Sequence, residues 1–428
     1  MYTGKLRQIL LIIGDLGVFY ASLVITLTIR YQQLPNLQLQ QEHLNSFSLV
    51  FLIWLVVFYI NDLYSIRKLK NNFEFNKKWG VVTLINFGLA IGVFYFLPFT
   101  PGFTPKTNLL ILSFIFGVAG FIWRRFFNRI LMTGEQEYKV LIIGESPVAQ
   151  EIISHINHNP QLGYQLKYSM DDEVNLIVVP THIKKDSDAA KRIYQDLIRG
   201  IEVMDLTTFY SSIFLKVPLA ELEEVWFIEN LTRKNKIYDP LKRPMEILMA
   251  VVLFAAFIVP ALVISLLIKS TSRGPLVYKQ TRIGRNEKKF TIYKFRSMRE
   301  DAEKNGPQWS SEDDPRITAL GKFLRWTHLD EIPQLINIIK GDLSFVGPRP
   351  ERPEFVQELK KNVPYYDLRH LVRPGLTGWA QLHYRYGSSI EDAYQKLQYD
   401  IYYLKNYSFW LDLSVMIKTI RLIYEKNS

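Results

Sequence analysis

Residues 327–350 read Thr-His-Leu-Asp-Glu-Ile-Pro-Gln-Leu-Ile-Asn-Ile-Ile-Lys-Gly-Asp-Leu-Ser-Phe-Val-Gly-Pro-Arg-Pro: an acid pair, an apolar run and a stiff turn with one guanidinium. Asp330 and Glu331 stand side by side ahead of a helical pattern. Asp330 is in cap position, Pro333 falls in the first turn, where a missing N–H costs little, and Gly341 closes the helix after Lys340. A helix N-terminus offers unpaired N–H groups and a positive dipole end, so it favours a carboxylate or a phosphate. Asp330 can stay ionised there, and the same place suits a phosphoryl group joined to it. A plain cap with a first-turn acid explains this stretch as well; the neighbouring stretches argue for more.

Cations and Gly/Pro punctuation surround the pair. Gln280-Thr-Arg282-Ile-Gly284, Lys294-Phe-Arg296-Ser-Met298, Asp313-Asp-Pro-Arg316 and Gly321-Lys-Phe-Leu-Arg325 precede it; Arg349 and Arg373-Pro-Gly-Leu-Thr-Gly-Trp-Ala-Gln381 follow. Any one of these basic residues reads as solvated surface. Together, in loops that pack around one place, they point to recognition of several phosphates.

The chain has 428 residues, 48% of them hydrophobic, and a net charge of +11, which suggests an anionic membrane surface, phosphorylated substrates or nucleic acid. The basic residues track apolar-segment edges and the Gly/Pro-rich site, which disfavours nucleic acid. With no cysteine, thiolate metal sites, disulfides and thiol catalysis are excluded, and the seven histidines form no His-Glu-x-x-His spacing.

Four apolar stretches, Leu6–Ile29, Phe47–Tyr64, Trp79–Phe99 and Leu109–Phe127, each approach the ~20 residues that cross a bilayer. No cleavable signal is expected, since no small-residue cleavage site follows the first. Lys5 and Arg7 open the first stretch. Arg67, Lys68, Lys70, Lys77 and Lys78 lie between the second and third, and Arg124, Arg125 and Arg129 end the fourth. The other connectors, Arg30–Ser46 and Thr100–Lys106, carry little basic charge, so both ends of the bundle are expected in the cytoplasm. Asp15, inside the first stretch, is expected to pair with another helix.

From Lys139 the pattern alternates. Strands at Lys139–Ile143, Asn175–Val179 and Ile201–Met204, with helices ending near Asn157 and covering Ser187–Arg199, suggest a small doubly wound sheet. Its first turn keeps only Gly144 of a dinucleotide fingerprint, with Ser146 and Ala149 at the other glycine places, which favours a structural or regulatory module over cofactor binding. Beyond it, Met245–Ile268 is apolar but carries Pro260 and is flanked by Lys242, Arg243, Lys269 and Arg273. A helix broken near Val259-Pro260 that dips into one leaflet and returns is expected, its cations reaching one interface. A fifth span is the alternative. Ser408–Tyr424 is a further helix whose Phe409 and Trp410 suit a membrane interface or an ordinary core.

These motifs resemble, in order, those of the bacterial monotopic phosphoglycosyl transferases. The resemblance runs from about Tyr238 to the end. It rests on Lys242-Arg243 before a proline-broken helix, Gln280-x-Arg282-x-Gly284, Lys294-Phe-Arg-Ser-Met298, Leu329-Asp-Glu-Ile-Pro-Gln-Leu335, Gly341-Asp-Leu-Ser-Phe-Val-Gly-Pro-Arg-Pro350 and Arg373-Pro-Gly-Leu-Thr-Gly378. The whole chain is similar to the long-form hexose-1-phosphate transferases that start exopolysaccharide, capsule or O-antigen repeats on undecaprenyl phosphate. Trp326, His328 and Ile332 depart from the usual pattern without touching a catalytic role.

The resemblance implies three parts: a four-helix transmembrane domain at 1–134, a degenerate Rossmann-like cytoplasmic module at 135–236, and an α/β monotopic catalytic domain at 237–428 with a re-entrant helix at about 242–270. It implies an inner-membrane enzyme that joins a sugar-1-phosphate from a UDP-sugar to the polyprenyl carrier. Asp330 would be the nucleophile. Glu331 would bind Mg²⁺ or help activate the acceptor, and Lys294 would pair with Glu331. Arg325, Arg349 and Arg373, with Gln280, Arg282 and Arg296, would hold phosphates or sugar. A homodimer is a further candidate assembly. Adjacent helix positions do not face each other, so the two acids are expected to have separate tasks. One rival is a membrane-bound nucleotide-sugar oxidoreductase or dehydratase. It needs a Tyr-x-x-x-Lys pair that Lys139–Asn230 does not supply; Tyr194, for example, is followed at the fourth place by Ile198. The other rival, a non-catalytic scaffold of the export machinery, would tolerate loss of Asp330.

Overall fold

The computed structural model describes residues 2–96, 106–132, 138–169, 172–180, 188–231, 238–271, 274–299, 302, 314–384 and 389–425. The 100–105 part of the second weakly charged connector, Arg273 and Asp313 lie outside them, as does the side chain of Lys5. The chain forms two compact units, Met1–Ser212 and Ile213–Ser428. The boundary expected near residue 236 falls inside the second.

In the first unit, α1 (Tyr2–Tyr31), α2 (Leu37–Ile60), α3 (Phe73–Phe96) and α4 (Lys106–Met132) are long and apolar enough to cross a membrane. Trp54, Phe58, Phe116 and Leu112 fill the space between them. Asp15 pairs with Arg124 of α4 and accepts from the Tyr64 hydroxyl at 2.8 Å, so the acid is answered across the bundle as expected. Arg124 also donates to the Leu63 carbonyl and is fully buried. It is therefore a core residue of the bundle, and the basic charge at the end of α4 rests on Arg125 and Arg129.

A four-stranded parallel sheet follows, in the order β2-β1-β3-β4, from β1 (Tyr138–Ile142), β2 (Tyr164–Lys167), β3 (Leu176–Val179) and β4 (Glu202–Asp205). The connecting helices are α5 (Pro147–Asn157) and α6 (Asp188–Ile198), and α7 (Leu206–Phe214) comes after β4. The strand absent from the sequence reading is β2. Its Tyr-Gln-Leu-Lys is half-buried at an edge and shows no apolar run. Gly144 turns at φ 101°, and the Ser146 side chain accepts from the Ala149 N–H at 3.2 Å, so this helix start is capped by its own chain. The basic connector after α2 touches this sheet module: Lys70 donates to the His158 carbonyl and Gln161 to that of Arg67.

In the second unit, α8 (Glu224–Leu231) packs Trp226 and Phe227 against Val356, Tyr366 and Leu397. Helices α9 (Tyr238–Ala256) and α10 (Ile258–Thr271) meet at a 57° bend. The break falls at Phe257, three residues before Pro260. Proline in the first turn of α10 cannot bond back to the Ala256 carbonyl, so the ladder fails one turn upstream. An antiparallel hairpin, β5 (Val277–Ile283) with β6 (Lys289–Phe295), precedes α11 (Ala319–Thr327) and α12 (Gln334–Lys340). After α12 come β7 (Ser344–Val346), α13 (Pro353–Asn362), β8 (Gly375–Thr377), α14 (Trp379–His383), α15 (Ile390–Asn406) and α16 (Phe409–Glu425).

The short parallel pair β7–β8 explains two glycine-rich motifs at once. Gly347 donates to Thr377 and Gly375 to Pro348, which brings the two backbones together. A Cβ on Gly375 would lie 2.1 Å from the Gly347 nitrogen. Gly375→Ala is therefore expected to part the two strands and cost about 1–3 kcal/mol, read as an earlier thermal unfolding. An unchanged melt would show that the approach is not tight.

Candidate active site

The acid pair does not begin a helix. Leu329–Glu331 forms one 3₁₀ turn, and α12 starts at Gln334 with Pro333 in the cap position. Pro333 has no N–H for the Leu329 carbonyl, so i+3 bonds from Ile332, Leu335 and Ile336 carry the chain through. The expectation of Asp330 as a side-chain cap is corrected: Asp330 lies inside the 3₁₀ turn, whose cap position is His328, and its Oδ1 accepts no hydrogen bond. Gly341 does end α12, at φ 95° with its N–H on the Asn337 and Ile338 carbonyls.

Asp330 is 5% exposed, and its Oδ1 is buried without a hydrogen-bond partner. Burial pushes its carboxyl up to about 6; Lys294, Arg325 and Arg349 pull it down, and the charge of Glu331 pushes it further up. Glu331 is the opposite case. Its Oε1 accepts from Lys294 Nζ at 2.7 Å and from Arg349 at 3.3 Å. Burial alone would raise Glu331, but those two cations outweigh it and hold the carboxyl below its usual range. The neighbouring acids are thus driven apart in proton affinity by different surroundings, an arrangement that suits different chemical tasks.

Each cation has a structural reason for its place. Lys294 comes from β6. Arg325, near the end of α11, fixes its Nε on Ser297 at 2.9 Å. Gly321 makes this possible, because a Cβ there would strike the Ser297 carbonyl at 1.9 Å. Arg349 sits in the Gly-Pro-Arg-Pro turn. The Arg369 guanidinium donates to its carbonyl at 3.0 Å and pairs with Asp400, also at 3.0 Å. Gln280 and Arg282 act on the same turn: Arg282 donates to the Pro350 carbonyl at 3.1 Å and to Gln280 at 2.6 Å. Arg296 is buried just after β6, its N–H on Leu276.

Arg373 donates to the Gly341 carbonyl at 3.1 Å, at the far end of α12, about 10 Å of helix from the acid pair. Arg243 joins it there, bonded to the carbonyls of Ile338 and Ile339. Two cations at the negative end of this short helix lock its axis. Lys242 and Arg243, read from sequence as reaching toward an interface, are instead tied into the fold. Lys242 lies 2.7 Å from Asp412 and donates to the Val346 carbonyl at 3.2 Å. Sequence reasoning passed over Arg369, Asp400, Glu246 and Asp412. The pairings that join distant segments, such as Arg369 with Arg349, 20 positions away, and Asp412 with Tyr238, 174 positions away, are announced by no local spacing. Glu246 accepts from Ser344 and from the Phe345 N–H, joining α9 to β7.

The bent pair meets the site directly. Ile264 and Ile268 of α10 pack with Phe295, Leu324 and the two residues flanking the acids, Leu329 and Ile332. The opposite sides of the pair are exposed and apolar, at Leu248, Val252, Val259, Leu262 and Leu266.

Residues 237–426 match the family described as bacterial sugar transferase. An undecaprenyl-phosphate glucose phosphotransferase of Komagataeibacter xylinus is 31% identical over 372 residues, covering 75% of this chain and 69% of that protein. A UDP-glucose:undecaprenyl-phosphate glucose-1-phosphate transferase of Klebsiella pneumoniae is 26% identical over 80% of each chain. A UDP-N-acetylgalactosamine-undecaprenyl-phosphate N-acetylgalactosaminephosphotransferase of Aeromonas hydrophila is 44% identical over 189 residues, 44% of this chain, and the chain spans 45% of that protein's length. The chain belongs to the bacterial sugar transferase family, and it is a membrane protein with four apolar N-terminal helices.

Proposed function

We propose that the protein transfers a sugar-1-phosphate from a UDP-sugar to undecaprenyl phosphate at the cytoplasmic face of the inner membrane, opening the synthesis of an exopolysaccharide, capsule or O-antigen. In the first step an Asp330 carboxylate oxygen attacks the sugar-bearing phosphorus. The bond from that phosphorus to the bridging oxygen breaks, and UMP leaves with that oxygen. In the second, a phosphate oxygen of the polyprenyl carrier attacks the aspartyl phosphosugar. The carboxylate is released and the lipid-linked diphosphate sugar forms. A carboxylate nucleophile divides one exchange between polyanions into two displacements. Lys294, Arg325 and Arg349 stabilise charge on the transferring phosphoryl group, as such transfer requires.

The observation that carries this reading is a buried carboxylate with an unpartnered oxygen, beside three cations, in a turn whose flanking leucine and isoleucine rest on a bent apolar helix pair. We read that pair as re-entrant, which would hold Asp330 at headgroup depth, where a lipid phosphate meets a soluble nucleotide. The sheet of the first unit we read as a degenerate Rossmann-like module. A hard dication fits the site, because the free Asp330 Oδ1 and the Glu331 carboxylate are oxygen donors beside a phosphate-binding set. When bound, Mg²⁺ would neutralise phosphate charge.

The names of the relatives divide between glucose and N-acetylgalactosamine, so the test uses a panel of UDP-sugars labelled in the sugar. One of them is expected to release UMP and leave label on the protein, which undecaprenyl phosphate then removes. Release of UMP only when acceptor is present, with no label on protein at any time, would overturn the covalent route.

A further inference from the structure

At the end of the β5–β6 hairpin distant in sequence from the acid pair, the turn Arg285–Glu287 faces the 3₁₀ segment Tyr366–Leu371 across a cavity of about 290 Å³, lined by Asn286, Glu287, Asp367, Leu368, His370 and Leu371. Glu287, Asp367 and His370 each offer one ligand atom there, and the three atoms lie within 4.8 Å of one another. His370 is 8% exposed, and its Nδ1 is buried without a hydrogen-bond partner. A neutral imidazole keeps one ring nitrogen with a lone pair to give to a metal. The backbone supports a special role for the turn. Asn286 and Glu287 both hold left-handed conformations, at φ 52° and 60°. A two-residue hairpin turn of that kind favours glycine second, and a glutamate there is held at a cost.

Lys360 of α13 bridges the two carboxylates, 2.6 Å from Glu287 and 2.7 Å from Asp367. The carboxylates therefore already share one cation, and each still has a second oxygen. We infer that Glu287, Asp367 and His370 form a second cation site, for a zinc-class divalent ion, in which the metal takes over the place that the Lys360 ammonium holds in its absence. The donor set decides the class. One imidazole nitrogen with two carboxylate oxygens suits zinc or manganese, whereas magnesium and calcium prefer oxygen throughout. In a tetrahedral site with bonds of about 2.1 Å, ligand atoms stand about 3.4 Å apart, so the trio needs to close by on the order of 1 Å. The exposed Glu287 and Asp367 side chains can supply that movement.

The site lies apart from the chemistry but is joined to it. The same 3₁₀ segment carries Arg369, which holds the Arg349 carbonyl, and the same hairpin carries Arg282, which holds Pro350. A bound ion would staple the two supports of the Arg349 turn together.

The experiment uses the full chain in detergent or nanodiscs, stripped by chelation, with zinc alone as the probe and calorimetry and thermal unfolding as readouts. Wild type is expected to bind one zinc in the micromolar range and to melt higher with it. Asp367→Asn, at an exposed position that leaves the fold intact, is expected to weaken binding about 10- to 100-fold and to lose the upward melt shift. His370→Gln should do the same. Lys360→Met is expected to tighten binding about tenfold, because one ammonium no longer competes. Asp330→Asn with Glu331→Gln keeps the binding, which separates this site from the phosphate site. Equal zinc affinity in wild type, Asp367→Asn and His370→Gln would overturn the proposal. So would the absence of saturable binding in wild type, or affinity in Lys360→Met no better than wild type.

Discussion

Asp330→Asn is expected to abolish both protein-bound sugar phosphate and UMP release while making the protein harder to unfold. An amide has the same shape but no nucleophilic lone pair on a charged oxygen, so the first displacement has no attacking group. Loss of a nucleophile of this kind costs about 10⁴-fold or more in turnover. The stability effect has the opposite sign. The unfolded chain releases the Asp330 proton near the ordinary aspartate value of 3.8, and the folded chain keeps it until about 6. The folded state thus binds the extra proton between those values, and wild-type stability falls as pH rises through that window. Above it, the native state carries a buried charge that the asparagine variant lacks, and the variant should be more stable by on the order of 1–3 kcal/mol. Thermal unfolding at pH 4 and at pH 7 checks this. The gap between the two proteins should be small at the lower pH and open at the higher. A variant that melts lower at neutral pH would mean that the carboxylate supports the fold, and a variant with normal turnover would remove it from the reaction.

The sequence announced the membrane helices because length and apolarity suffice for that. It announced the parallel sheet through its buried strands β1 and β3, and it missed β2, whose edge position leaves no apolar signature. The acid pair was recognisable through its company of motifs, yet its local geometry was misread. The pattern Asp-Glu-Ile-Pro looks like a capped helix start, and what decides otherwise is the ladder bond that Pro333 cannot make. Lys294 meeting Glu331 was implied by the family resemblance, and the structure shows the pair. The destinations of Lys242, Arg243 and Arg373 were not. Each ends on carbonyls or acids supplied by distant segments, and a basic residue beside an apolar run looks the same in sequence whether it reaches for a headgroup or for a helix end. The pairing of the two glycine-rich motifs as neighbouring strands was hidden for the same reason: it depends on an encounter between residues 347 and 375 that neither motif encodes alone.

Lys294→Met is expected to lower the first half-reaction at neutral pH by about 10²- to 10³-fold and to move its acid limb to higher pH. Lys294 is the strongest of the charges that keep Asp330 ionised against burial. It also holds Glu331 at 2.7 Å, while Arg349 reaches the same oxygen at 3.3 Å. Without the lysine, Arg349 still keeps Glu331 charged, and that charge is then less screened from Asp330. Both changes favour the protonated, unreactive aspartic acid. Wild-type UMP burst amplitude and rate should rise with pH through an apparent value near 6 that belongs to the coupled pair, then level off. In Lys294→Met the rise comes later, so part of the lost rate returns on the alkaline side. Glu331→Gln must do the reverse to the limb: removing the neighbouring negative charge lets Asp330 ionise more easily, and the rise moves to lower pH even if the plateau falls. Opposite displacements from two substitutions in one ion pair cannot come from a general loosening of the fold. If both variants lose rate with the limb unmoved, the lysine and the glutamate shape the pocket without setting the charge on the nucleophile.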